Sequence, residues 1–501
     1  MSALHTVRLG LVLALLGCGP AATVRDAAAP PDASADASSI DASIDAASVP
    51  PVETVAVSHD REVRGVWIAT VWNINWPSSS SLEPSEQRAE LNALLDRAQE
   101  AGMNAVFMQV RAESDAFYRS ELEPWSRFLT GTQGSDPGWD PLAEAIEAAH
   151  VRGLELHAWM NPYRALVSPD RSVAAPNHIA NAHPEQVVSY GNLLWIDPGN
   201  PGGRAHTLAV IRDVLERYDI DGLHFDDYFY PYPEDGLAFP DEASFAAYDG
   251  PLARDDWRRD NVNRMVAAVH ELVREVRPDV RFGISPFGIY RPGMPEGIRG
   301  LDPWAQLYAD PLAWMQAETV DYVAPQLYWP TTQTAQDYAR LLTWWSEQAS
   351  LTGRHLLIGN YLAQLGSSSA WSIDEIGAQL RLVREESRAQ GNIQYHIGPI
   401  MENRSGVLDV LQDHHSRPAA TPPIPGATDA PELPAVTVAG TELTMSGDGR
   451  CFALYREVAG AFELERLVFG DRVTLAPGRW AVSLVARNGL ESRGVVFEIG
   501  G

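Results

Sequence analysis

The sequence predicts an α/β protein, a (β/α)8 TIM barrel followed by a small all-β sandwich domain. Three observations carry this. From about residue 62 to residue 414, short apolar runs alternate with longer amphipathic stretches, the pattern of parallel strands covered by helices. Turns leading into the strands are short, whereas those leaving them are long, as in a barrel whose site is built at one end. Past Pro418 the helical period disappears, and β-like runs separated by Gly and Asp turns take over.

The elements follow in order. Strands are predicted at 63–70, 105–110, 154–160, 220–226, 281–285, 321–326, 356–361 and 393–400. Helices are predicted between and after them, at 85–101, 141–152, 204–218, 256–276, 303–317, 335–349, 373–390 and 405–414. Long strand-to-helix loops rich in Trp, Tyr, Pro and Gly, such as DYFYPYPEDG after the fourth strand, read as ordered walls of a cleft.

The chain start reads as a targeting signal. Arg8 supplies a positive charge, residues 9–16 form an apolar core, and Leu15-Leu16-Gly17-Cys18 resembles a lipoprotein cleavage box. A run this short cannot cross a hydrocarbon core of ~30 Å. Residues 1–18 are therefore expected to be a signal peptide with a lipidated Cys18, and 19–58 a disordered Ala/Asp/Ser/Pro tether. The barrel is expected over 59–417, a linker over 418–434, and a fibronectin type III or immunoglobulin-like sandwich over 435–501. Expected localisation is that of an exported lipoprotein, in the outer membrane and periplasm or at the cell surface; Gly19 rather than Asp after the cysteine favours the outer membrane. With Cys18 lipidated, Cys451 has no partner and reads as a small buried apolar residue.

A net charge of −28 argues against nucleic acid and against an anionic membrane surface as partners. The membrane is contacted through the lipid anchor alone. A neutral polysaccharide remains compatible, and 15 Trp and 16 Tyr offer sugar platforms. Oligomeric state is left open, and no cofactor or metal is called for.

Strand alternation places one polar set toward the barrel interior. That set is Trp67; Gln109 and Arg111; His157, Trp159 and Asn161; His224 and Asp226; Ser285; Gln326 and Tyr328; and Asn360. Unpaired polar groups in a core are costly, so such a ring needs partners or a substrate. In the fourth strand, Gly222 leaves room for its neighbours and Asp226 projects into the mouth, with Asp227 one step into the loop. Glycosidic cleavage needs two carboxyl groups in different protonation states. Asp226 and Asp227 are candidates, as are Glu113 and Asp115 after the second strand, with Glu402 a weaker one. Arg111 and Arg164 can hold a carboxylate. Asn161, Gln326 and Asn360 suit hydroxyl or N-acetyl groups. Trp159, Tyr163, Tyr228, Tyr230, Tyr328 and Trp329 can stack on pyranose faces. Two other classes stay open: a non-catalytic wall-binding lectin, and a metal hydrolase using His157, His224 and Asp226. The second lacks the His-x-His that such barrels commonly carry on the first strand. Retaining and inverting routes also stay open, since carboxylate separation decides between them.

These residues fall in runs that resemble the bacterial glycosyl hydrolase-10-like family. The runs are 64–67 (RGVW), 109–111 (QVR), 115–118 (DAFY), 123–131 (EPWSRFLTG), 136–141 (DPGWDP), 157–164 (HAWMNPYR), 221–231 (DGLHFDDYFYP), 285–288 (SPFG) and 324–329 (APQLYW). The resemblance implies a barrel glycosidase, often a surface lipoprotein with a fibronectin-like domain, and a catalytic Asp at the position of Asp226. It also implies peptidoglycan glycan strands, stripped of peptide, as substrate; hydrolysis of another polysaccharide is the alternative. The chain departs from the family after the second strand, reading Arg111-Ala112-Glu113-Ser114-Asp115 where an Arg-Pro…Gly-Asp pattern is usual.

Overall fold

The computed structural model describes residues 52–366 and 371–500. The signal peptide, Cys18 and the tether up to residue 51 lie outside them.

A parallel sheet closes on itself in the order His355–Leu356, Tyr322–Val323, Arg281–Ile284, Gly222–Phe225, Glu155–Met160, Ala105–Arg111, Val63–Ile68, Gly391–Tyr395 and Ile358–Tyr361. The first and last of these are consecutive pieces of one seventh strand, interrupted at Leu357, so eight strands complete the ring. Helices cover the outside. Their starts follow capping chemistry: Asp140 accepts from Ala143 N–H ahead of Pro141–His150, and Asn200 accepts from Gly202 and Gly203 N–H ahead of Pro201–Arg217.

The predicted barrel is therefore present, with local differences. The eighth strand stops at Tyr395, and Ile397–Met401, most of it predicted as strand, is a helix opened by the His396 side chain, which accepts from Gly398 N–H at 3.1 Å. The predicted helix 303–317 is two short helices, Pro303–Gln306 and Pro311–Gln316, each opened by an Asp cap and a Pro. Where one helix was expected, the second Asp-Pro restarts it.

The barrel interior is packed by rings. Phe107 lies 4.4 Å from His157 and 5.0 Å from His224 between ring centroids. Gly222 and Gly283 make this possible: a Cβ at either would collide with the ring of His157 or Tyr322. Leu223 and Phe225, of opposite parity, join the large apolar core under the helices. The loop after the third strand is ordered and carries its own antiparallel sheet of Arg164–Leu166, Leu193–Ile196 and Val187–Tyr190. Trp195 of that sheet donates its Nε1–H to Phe229 carbonyl at 2.8 Å, joining it to the loop after the fourth strand.

The C-terminal part forms two small antiparallel sheets around Leu443, Met445, Leu454, Trp480 and Val482. Thr54–Val55, assigned from sequence to the tether, pairs with Gly494–Ile499. Those residues belong to the β domain, because Val55 and Val57 bury against its second apolar face. Cys451 is free and buried on that face, where burial pushes its thiol up to about 12. The domain sits at the strand starts, opposite the long loops. Arg450 pairs with Asp221, just before the fourth strand. Thr421 Oγ1 donates to Glu155 at 2.6 Å, and Arg281 donates to Pro422 carbonyl at 2.6 Å.

Candidate active site

A cavity of about 250 Å³ opens among the strand ends. Trp67 and Trp159 form its floor. Tyr228, Tyr232, Tyr328, Tyr361 and Tyr395 wall it, and Trp72 and Ile74 stand at its rim. Tyr328 and Tyr361 are stacked at 4.8 Å, and Tyr395 packs 5.9 Å from Tyr361.

The carboxylates lining it, among the described residues, are Asp226 and Asp227. Both are buried. Asp226 Oδ2 accepts from Trp159 Nε1–H at 3.0 Å and from Asn161 Nδ2–H at 2.5 Å. Its Oδ1 accepts from Tyr228 N–H at 3.3 Å. Asn161 is itself fixed, for its Oδ1 accepts from Gln109 Nε2–H at 2.7 Å and from an Arg164 guanidinium N–H at 2.6 Å. Asp227 Oδ2 is partnered by the Tyr232 hydroxyl, and the Gln326 side chain lies against it.

Burial and the adjacent Asp227 charge push Asp226 up to about 6, against the pull of Arg164 and its hydrogen bonds. Burial likewise raises Asp227, against its bonds to Tyr232 and Gln326. Two such neighbours do not ionise together readily, so the pair can offer one carboxylate and one carboxylic acid. A buried acid–carboxylate pair under aromatic walls is what protonation of a glycosidic oxygen requires.

A profile of the family described as glycosyl hydrolase-like 10 matches residues 62–374. This chain belongs to that family. It is 41% identical over 394 residues to glycosyl hydrolase YngK of Bacillus subtilis strain 168, covering 75% of this chain and 77% of the relative. It is 33% identical over 345 residues to glycosyl hydrolase DigH of Escherichia coli K12, covering 65% and 78%. The fold is also that of the PgaB (BpsB) glycoside hydrolase domain of Bordetella bronchiseptica, at a TM-score of 0.50 and 13% identity over 71% of this chain and 98% of that domain. As a glycosyl hydrolase-like 10 member, the chain is an enzyme of the glycosidase type.

Of the predicted site residues in this family member, Trp67, Gln109, Trp159, Arg164, Asp226, Asp227, Tyr228, Ser285, Gln326 and Tyr328 line the cavity. Asn161 stands behind Asp226 and positions it. The others are elsewhere, each for a physical reason. Glu113 is held by two bonds from Arg127 and by Val167 N–H at 2.8 Å, away from the mouth. Asp115 accepts from Ala112 and Glu113 N–H and ties its own loop. Neither lines the cavity. Glu402 is exposed and paired with Arg404.

Arg111 is displaced by a bulge after Gln109 and forms a fully buried two-pronged pair with Glu123, at 2.8 and 2.6 Å. Burial opposes ionisation of Glu123, but Arg111 and His206 overcome it and hold the carboxyl down to about 2. His157 and His224 do face inward, one layer too deep. His157 binds Glu155 at 3.0 Å. His224 receives Trp67 Nε1–H at 3.1 Å and gives its other N–H to Tyr322 at 2.9 Å, and burial drives its pKa well down. With both nitrogens occupied, it is not poised with Asp226 as a metal ligand. Asn360 points to the helices, donating to Tyr338 and Gln379. Tyr163 and Tyr230 are buried in the core under the helices, and Trp329 packs on Phe287.

Sequence reasoning missed Val71, Trp72, Ile74, Tyr232, Tyr361 and Tyr395. Tyr395 follows inward-facing Ile393 by two and was legible from alternation. Tyr361 has the parity of inward Leu357, opposite to that of Asn360. Trp72 sits at positive φ in a turn, which no strand pattern reveals.

Proposed function

We propose that this enzyme hydrolyses the glycan strands of peptidoglycan after their peptides have been removed, working outside the cytoplasm from a lipid anchor on Cys18. The observation that carries the reading is the buried Asp226–Asp227 pair on the floor of an aromatic-walled cavity. The aromatic faces suit the apolar faces of pyranose rings. Peptide stems would bring extra carboxylates. Among the described residues lining the cavity, Arg164 is the cation, and it is already engaged by Asn161 and by the Ala112 carbonyl at 2.8 Å. A stripped, less anionic strand therefore fits the mouth of a chain of net charge −28 better than a peptide-bearing one. The family membership and the relatives named glycosyl hydrolases support the reaction type. The apolar run ending in Leu15-Leu16-Gly17-Cys18 supports the location. The β domain, docked on the opposite end of the barrel, buttresses the fold.

Soluble chain beginning at Val52, which keeps the 54–55 strand, tests this directly. It is incubated with intact peptidoglycan and with amidase-stripped strands, and released products are read by mass spectrometry. Short reducing oligosaccharides from the stripped strands, and few from the intact polymer, are expected. Equal release from both would remove the stripped-strand preference. Binding without release would make the chain a glycan-binding protein.

A further inference from the structure

The cavity holds a carboxylate pair from adjacent residues and, among the described residues, no carboxylate facing it from another strand. Residues 367–370 are Ser-Ser-Ser-Ala and carry no carboxylate. Retaining and inverting routes that rely on the protein alone place carboxyl groups on both sides of the scissile bond, about 5–5.5 Å or 6.5–9.5 Å apart. The remaining candidates, Glu113, Asp115 and Glu402, are tied to Arg127, to their own loop and to Arg404. Four of the cavity tyrosines are disfavoured as nucleophiles too: burial raises the phenols of Tyr228, Tyr232, Tyr328 and Tyr395. Among the described residues, the side-chain hydrogen bond of the Ser285 hydroxyl is from Gln326 Nε2–H at 3.4 Å, an amide and not a base.

The two carboxyls are also unlike in their partners. Asp226 Oδ2 is surrounded by obligate donors, the indole of Trp159 and the amide of Asn161, so that oxygen cannot carry a proton. Its Oδ1 has only the Tyr228 N–H at 3.3 Å and keeps lone pairs for a further N–H. Asp227 also lies against the Gln326 side chain, but its Oδ2 meets a hydroxyl, Tyr232, which can accept as well as donate, so that oxygen can hold a proton.

We infer that the nucleophile comes from the substrate: the carbonyl oxygen of a 2-acetamido group attacks its own anomeric carbon, with Asp226 holding the acetamido N–H and Asp227 acting as acid, then base. This rests on the glycan-strand reading above and narrows it to strands N-acetylated at the cleaved sugar. In the first step the acetamido oxygen–C1 bond forms and the C1–glycosidic oxygen bond breaks. The leaving oxygen takes the proton of Asp227, and the positive charge of the resulting oxazolinium ring lies against the Asp226 carboxylate. In the second step water attacks C1 and gives a proton to Asp227, and the ring bond breaks back to the amide. Water is the sole co-reactant, and two inversions leave the anomeric configuration retained.

The test uses chain from Val52 on stripped glycan strands, fully N-acetylated or chemically de-N-acetylated, with a thiazoline analogue of the 2-acetamido sugar as inhibitor. Proton NMR reads the first-formed anomer. The expected result is retention, competitive inhibition by the thiazoline, and at least a hundredfold slower cleavage of the de-N-acetylated strand. Comparable cleavage of both strands, or an inverted product, overturns this inference and leaves the glycosidase reading standing. No cleavage of the N-acetylated strand overturns the glycan-strand reading and the inference with it.

Discussion

Asn161 donates its side-chain N–H to Asp226 Oδ2 at 2.5 Å while its own carbonyl oxygen receives both Gln109 and Arg164. One amide therefore couples the ends of the second and third strands to Asp226 at the end of the fourth. Asn161→Ala removes a donor that favours the charged form and strands two buried donors. A kcat loss of about 10²-fold is expected, with a smaller change in KM. Because the lost bond had lowered the Asp226 pKa, the titration seen in the pH profile should move upward. A variant whose rate falls with no shift in the profile would show a loss of packing alone.

The same pair imposes a cost on the fold. A carboxyl whose pKa is raised on folding, here from an ordinary 3.8 to about 6, contributes no penalty below about pH 4. Its penalty grows as pH rises through 4 to 6 and is then constant. Asp226→Asn does not titrate and keeps acceptor oxygen for Trp159 and Asn161. It should match the parent in unfolding free energy at pH 4 and exceed it at pH 7, by about 3 kcal/mol. Urea unfolding at the two pH values measures this; an advantage equal at both would assign it to packing.

At the rim, Trp72 is 59% exposed, with Ile74 beside it, and both line the cavity. A large indole left in solvent at the entrance is a platform for a sugar ring outside the cleavage point. Trp72→Ala should raise KM for long strands about tenfold, worth ~1.4 kcal/mol, with a smaller effect on kcat. Steady-state kinetics on strands of graded length checks it, and an effect independent of length would remove the platform role.

Below the barrel, Arg450 of the β domain meets Asp221, which also binds His150 at 2.8 Å and Leu156 N–H at 2.8 Å. Burial works against the Asp221 charge, and Arg450 with His150 outweighs it, so the carboxyl is held far below its ordinary value. Arg450→Met leaves a buried carboxylate short of its main partner and should cost about 3 kcal/mol of stability. The sign follows for acid: a depressed carboxyl stabilises fully above about pH 4 and loses that contribution as pH falls below it. The Met variant should therefore lose its deficit on acidification. Thermal unfolding across pH tests this, and a neutral effect at pH 7 would mean the domain is not fastened here.

The barrel was legible because its strands and helices differ in period and its loops in length. The fourth strand was legible residue by residue, since Gly222, His224 and Asp226 share one parity. Depth was not. Alternation says that His157 and His224 face inward but not that Phe107 and Tyr322 pack them beneath the floor. A bulge after Gln109 turned Arg111 out of the predicted ring toward Glu123, and in sequence such a bulge leaves no mark. Asn360 misled because a polar residue on a strand was read as inward, when a helix residue, Gln379, supplies its partner. Glu113 and Asp115 had the right chemistry near the right strand end, and only the position of Arg127 and the loop N–H groups shows that they are spent on structure.

Asp226 and Asp227 are proposed to cleave a glycosidic bond together. The most direct measurement is the release of reducing ends from stripped glycan strands by the chain from Val52, beside its Asp226→Asn and Asp227→Asn variants. Steady release by the parent and a fall of at least about 10³-fold in each variant are expected, with both still folded by circular dichroism. Release undiminished in either folded variant would contradict it.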